Sequence, residues 1–176
     1  MRRSMLAVLM IGALMLSACG SEGVRFTAFR DEAARAAAVS VTAAVGEYTL
    51  AAECTAEGCR VTVLAPELIA GVSAQTDADG ANIIYDGVVI SELDSPLEAL
   101  TPVGALPAAV NALREGHIDS VWAEGELLAA QLTVCDEYFA ELRLDAASMT
   151  PVSVRLVDSA DGAVVVECAI TEFILS

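Results

Sequence analysis

The chain has 176 residues with 9 Lys+Arg against 25 Asp+Glu, a net charge of −16, and is 56% hydrophobic but only 5% aromatic. Such acidity repels nucleic acid and anionic lipid headgroups alike. There is no lysine, one histidine (His117) and no G-x-S-x-G, which excludes Schiff-base and P-loop lysines, a His-rich zinc site and a serine partner for His117.

The first residues read as an address. Arg2 and Arg3 precede an unbroken apolar run from Met5 to Leu16, then small Ser17 and Ala18 lead into Cys19. This is the layout of a secretion signal, and 12 apolar residues fall short of the ~20 that a membrane-spanning helix needs. Leu16–Cys19 (LSAC) resembles the lipobox of bacterial lipoproteins. The resemblance implies a diacylglyceryl group on the Cys19 sulfur, cleavage before Cys19, and a place at the cell membrane facing the extracytoplasmic side. An ordinary signal peptide that happens to hold a cysteine is the alternative. On this reading residues 1–18 are the signal, 19–28 the lipidated N-terminus and flexible tether (Gly20–Gly23), and 29–176 one domain. The chain from Cys19 onward has 158 residues and seven arginines against 25 acids, −18, enough length for a single core.

Phe29–Ala38 has the alanine and charge content of a short helix. The period then changes to two: Ser40–Val45 and Glu47–Cys54 read as strands parted by Gly46. In the next hairpin, setting Cys54 opposite Cys59 also sets Ala52 opposite Val61, Leu50 opposite Val63 and Tyr48 opposite Ala65, all apolar and on one face. The other face then opposes Glu53 and Arg60. A one-residue slip would turn the apolar set to water. Directly opposed cysteines have the roughly 4 Å Cβ spacing of a disulfide, and an exported chain meets oxidising conditions. A Cys54–Cys59 bridge is therefore expected, two small core thiols being the alternative.

Ala65–Gly71 interrupts the alternation with Pro66 and Gly71. Val72–Thr76, Ala81–Tyr85 and Val88–Leu93 follow as strands on the tight turns Asp79-Gly80 and Asp86-Gly87. Asp77 and Asp79 belong to a turn and not a calcium loop, because the glutamate of an EF-hand is replaced by Val88. No metal site and no cofactor is expected anywhere. Residues 95–116 change character. Ser95-Pro96 would open a short helix and Pro107 a longer one ending near Gly116, with Leu106, Val110 and Leu113 on one side. Four strands then follow in a meander, the last hairpin setting Val152, Val154 and Leu156 against Cys168, Val166 and Val164. In that meander Cys135 falls in a turn and Cys168 about 20 Å away along its strand, too far for a disulfide, so both are expected as free thiols. The fold class is α+β: a curved antiparallel sheet capped by a short helical insertion.

At this point the chain resembles the LolA-like lipoprotein carrier superfamily, in particular small lipid-anchored lipoproteins of Gram-positive bacteria. The likeness lies in the lipobox, Val61–Ile90, the proline-studded insert at 95–116 and the closing Thr150–Phe173. It implies an incomplete β-barrel (a half-barrel) whose concave apolar face holds an acyl chain of a lipid or lipoprotein under the helices, with no catalytic residue. An open sheet must have its inner face covered, and such clefts take hydrophobic ligands. The expected lining is Tyr48, Leu50, Val61 and Val63 on the sheet, Leu106, Val110 and Leu113 on the insert, and Trp122 at the mouth. The bland alternative is an interior filled by small side chains.

The expected function is thus a monomeric, membrane-anchored binder of a hydrophobic ligand. The alternative is a non-carrier lipoprotein that acts as a protein-interaction module in envelope or sporulation assembly, its partner not named by the sequence. An enzyme is not expected. Its best pair, Glu124 and Glu126, would share a strand face at i and i+2, but a solvated edge explains them. His117, just past Gly116, reads as a solvated helix end.

Overall fold

A computed structural model describes residues 21–77, 80–85, 87–93 and 101–176. Two helices pack on a single antiparallel sheet. Helix α1 covers 21–35, and α2 covers Pro102–Glu115. The first wing of the sheet is a meander of β1 (Ala38–Val45), β2 (Tyr48–Thr55), β3 (Gly58–Ala65), β4 (Ser73–Asp77), β5 (Gly80–Tyr85) and β6 (Val88–Leu93). The second is β7 (Ile118–Glu124), β8 (Leu127–Thr133), β9 (Tyr138–Asp145), β10 (Pro151–Asp158) and β11 (Val164–Leu175). The two wings join where β11 pairs with β1, giving the order β6-β5-β4-β3-β2-β1-β11-β10-β9-β8-β7. The sheet stays open, with β6 and β7 as its edges.

Alternation in the strands decides which face is inside. Val39, Val41, Ala43 and Val45 of β1 are buried while their neighbours are less so, and Leu128, Ala130 and Leu132 of β8 join the same core cluster, which does not include the buried Ala129 between the first two. Helix α2 reaches β1, β2, β3, β8, β9, β10 and β11. Seven strands laid flat would span about 29 Å at ~4.8 Å spacing, more than the ~21 Å length of a 14-residue helix. The sheet therefore curls around α2, as the expected half-barrel requires. The convex face is polar: Arg143 bridges Glu124 (3.3 Å) and Glu141 (2.7 Å), and Arg155 bridges Glu167 (2.8 Å) and Glu141 (4.0 Å).

Several boundaries differ from the sequence reading. Residues 21–28 are helical, not a tether, so ordered structure precedes position 29. The cause is a stripe at helical spacing, Phe26, Phe29 and Ala33, all buried against the sheet. Phe29 stacks at 5.8 Å on Phe173 of β11 and lies 6.3 Å from Phe26. The helix stops at 35, and β1 already starts at Ala38. Helix α2 opens at Pro102, not Pro107. Thr101 is the N-cap, its Oγ1 accepting from the Gly104 N–H at 3.0 Å, and Pro102 takes the first helical position. Pro107 is carried inside the helix and buried. The short helix expected at Ser95-Pro96 lies outside the described residues.

The second wing has five strands where four were expected. Ile118–Glu124 pairs with β8 through a turn at Gly125 with φ +64°. In the last hairpin Val154 faces Cys168 and Leu156 faces Val166, two residues from the expected register, with an irregularity before Val157 faces Val164. An even shift keeps every side chain on its intended face, so the apolar pattern tolerates it. Tyr48 is not opposite Ala65. Thr49 is, because the β2–β3 register shifts between Thr49 and Leu50, at the strand end that runs into Pro66.

Candidate functional site

The hairpin register fixes the first feature. Cys54 and Cys59 are directly opposed and joined by a disulfide, with Cα atoms 4.1 Å apart, and Leu50 faces Val63 and Ala52 faces Val61 as expected. Glu53 faces Arg60, whose guanidinium donates to Gln75 (2.9 Å). Cys135 is a free exposed thiol and Cys168 a free buried one. The turn at Cys135 closes by the backbone bond from Val134 N–H to Tyr138 O at 3.1 Å. Burial, with a smaller contribution from Glu167, pushes the Cys168 thiol up to about 12.

Leu50, Val61, Val63, Leu106, Val110 and Leu113 all lie in the buried core on the concave side, and half-buried Tyr48 packs against it. Only the three α2 residues among them border the seam between helix and sheet. That seam is lined by Leu106, Ala109, Val110 and Leu113 from α2, and by Val41, Leu142, Val154, Ile170 and Phe173 from the sheet. The sheet side comes from β1, β9, β10 and β11, none of which was expected to line a site. Their alternation marks them as inward, but only the β1–β11 pairing puts Val41 beside Ile170 and Phe173. The remaining gap is about 20 Å³ and presents no polar atom. A larger hollow of about 470 Å³ runs along the outer flank of α2, an open cleft bordered by Thr76, Asn111, Glu115 and Thr133 among others.

Trp122 is not at the mouth of that seam. It pairs with Ala129, which pairs with Arg143, and so belongs to the convex face. Val121, its neighbour, and Ile118 are the residues of β7 that pack on the core. The strand begins earlier than the sequence reading allowed, and parity then turns Trp122 outward. Glu124 and Glu126 do not share a strand face either: Glu124 ends β7 and pairs with Arg143, while Glu126 lies beyond Gly125 in the turn. His117 is exposed. Among the described residues no group of three or more His, Cys, Asp or Glu is placed to hold a metal, and no helix is long and apolar enough to cross a membrane.

The C-terminal end of α2 is fastened by two arginines. Arg30 of α1 donates through Nε to Leu113 O (3.2 Å) and through a terminal nitrogen to Gly116 O (2.5 Å). Arg114 donates in return to Ala36 O (3.2 Å), just past α1. These bonds satisfy carbonyls at the negative ends of both helices. At the same place β8 approaches closely: a Cβ on Gly116 would stand 2.6 Å from Thr133 O and 2.5 Å from Ala112 O.

No protein-family model matches the chain, and no curated protein sequence matches it. Solved structures do. A Vibrio parahaemolyticus domain described as an outer membrane lipoprotein-sorting protein is 10% identical, over 86% of this chain and 91% of that one, with a TM-score of 0.48. A LolA superfamily protein from Nitrosomonas europaea is 12% identical over 85% and 93%, TM-score 0.43. A chain of the complex between the CwlD amidase of Clostridioides difficile and the GerS lipoprotein is 13% identical over 89% and 92%, TM-score 0.40. At such identities the likeness is one of fold.

Proposed function

We propose that the chain is an extracytoplasmic lipoprotein, held at the cell membrane through Cys19, whose domain binds an acyl chain or another hydrophobic ligand between α2 and the concave face. The observation that carries this reading is the wholly apolar seam. Lifting α2 would strand no polar side chain there, and an apolar chain taking its place would meet the same aliphatic surface. Ligand sites commonly have ~300–1,000 Å³, so a gap of about 20 Å³ admits a ligand only as α2 moves, pivoting on the end that Arg30 and Arg114 hold. Its chemistry is binding: Glu124 is committed to Arg143 and does not converge with Glu126.

The same small gap favours a second reading, in which the interior is simply filled and the domain is a protein-interaction module. Native mass spectrometry of lipidated protein exchanged out of detergent separates the two. Carriage predicts a bound lipid beyond the covalent anchor, or saturable uptake of an added long-chain fatty acid. Neither, together with a cross-linked envelope protein, would overturn carriage in favour of the second reading. Cys19→Ala should abolish lipidation and with it the anchor, which two acyl chains make stable at about 0.8 kcal/mol per buried methylene; a variant still extracted with a thioether-linked lipid would refute the assignment of Cys19.

A further inference from the structure

We propose that α1 is the side of the domain turned to the membrane, with its first two turns against the lipid headgroups, a reading that rests on Cys19 being the lipidated residue. Three observations converge on it. The first is reach. Residue 21 is already helical and lies two residues along the chain from Cys19. Two residues extend at most about 7 Å, whereas the headgroup layer on one side of a bilayer is roughly 5–8 Å thick. The start of α1 is thus confined to that layer or its surface.

The second is rigidity. A helix loosely attached to the domain would let the body swing away from the anchor. Here Phe26 is fully buried, Phe29 stacks on Phe173, and Arg25 donates to the Ala146 carbonyl in the β9–β10 loop. The direction in which α1 leaves the membrane is therefore the direction of the whole body.

The third is charge. Helix α1 carries Arg25, Arg30 and Arg35 against Glu22, Asp31 and Glu32, and is neutral. The rest of the chain beyond it has 4 arginines against 22 acids. An anionic membrane repels the rest of the domain as a whole, whereas α1 is uncharged on balance. Val24, 70% exposed, stands on the outward side of the first turn, where an apolar side chain gains from contact with the headgroup boundary.

The test uses lipidated protein reconstituted in vesicles of phosphatidylcholine and phosphatidylglycerol containing a doxyl-labelled lipid, with tryptophan as probe. Native Trp122 reports on β7. Val24→Trp and Val88→Trp, each with Trp122→Phe, report on α1 and on the β5–β6 hairpin, where Val88 is 63% exposed. The expected result is that tryptophan at 24 loses most of its emission, while tryptophan at 88 and at 122 keeps it. The Cys19→Ala form of the Val24→Trp protein should stay unquenched with the same vesicles. Equal quenching at 24 and 88, or stronger quenching at 88 or 122, overturns the orientation. A Cys19-containing protein that does not float with the vesicles overturns the anchor itself, and that failure is seen before any fluorescence is read.

Discussion

Replacing Phe26 by alanine decides whether α1 is part of the core or an appendage. Phe26 is fully buried, with Phe29 at a ring distance of 6.3 Å. Truncating a buried phenylalanine costs about 3–5 kcal/mol, the transfer of the ring plus the cavity left behind. For a domain of this length each kcal/mol lowers Tm by about 2–4 °C, so the expected drop is roughly 6–20 °C. Val24→Ala supplies the reference on the same helix: Val24 is 70% exposed, and its truncation should stay within about 0.5 kcal/mol. Both are measured by thermal unfolding followed by circular dichroism, in the Cys19→Ala background so that no detergent is needed. Equal Tm values for the two variants would show that α1 is not packed as described, and the membrane orientation argued from it would fall too.

Gly116→Ala should destabilise by about 1–3 kcal/mol, because its new methyl meets two backbone carbonyls within 2.6 Å; an unchanged denaturation midpoint would mean that α2 and β8 are not that close. Arg30→Ala should cost about 2 kcal/mol, the range of hydrogen bonds from a charged donor, and Arg30→Lys should recover only part of it because lysine lacks the forked geometry; equal stability of Arg30→Lys and wild type would count against the bonds to Leu113 and Gly116. Alkylation of the folded protein should label Cys135 and spare Cys168. For Cys168 the folded protein raises the thiol from 9.0 to about 12, so its contribution is complete below pH 9.0 and fades as pH rises toward 12. The stability difference between wild type and Cys168→Ala should shrink over that window, and a flat difference would contradict the burial.

What could be read from the sequence was local. The Cys54–Cys59 hairpin was legible because the pairs Cys54–Cys59, Ala52–Val61 and Leu50–Val63 and one charge pair share a single register. The inward face of the last hairpin was legible from its alternation, with Val154, Leu156, Val166 and Cys168 all buried. Strand ends were not: Trp122 was expected at the cavity mouth because the start of β7 at Ile118 carries no proline or glycine beyond Gly116 to announce it. The extension of α1 back to 21 was hidden by Gly23, which reads as a linker residue although no side chain or backbone crowds its position in the helix. The seam between α2 and the sheet depends on pairing between residues more than a hundred positions apart, which periodicity does not encode.

That distant pairing has a consequence for how the chain can fold. Each wing is a run of neighbouring hairpins, closed over short loops and therefore fast to form. Joining them needs β1 to meet β11, with Val39 opposite Leu175 and the backbone of Ala38 exchanging hydrogen bonds with Ser176. Closing so long a loop is entropically the slowest step in the assembly. Strand β11 also comes after every other strand of the sheet in the chain, so until it is made the two halves have no shared hydrogen-bonded border. Synthesis from the N-terminus therefore leaves the core incomplete until β11 has emerged.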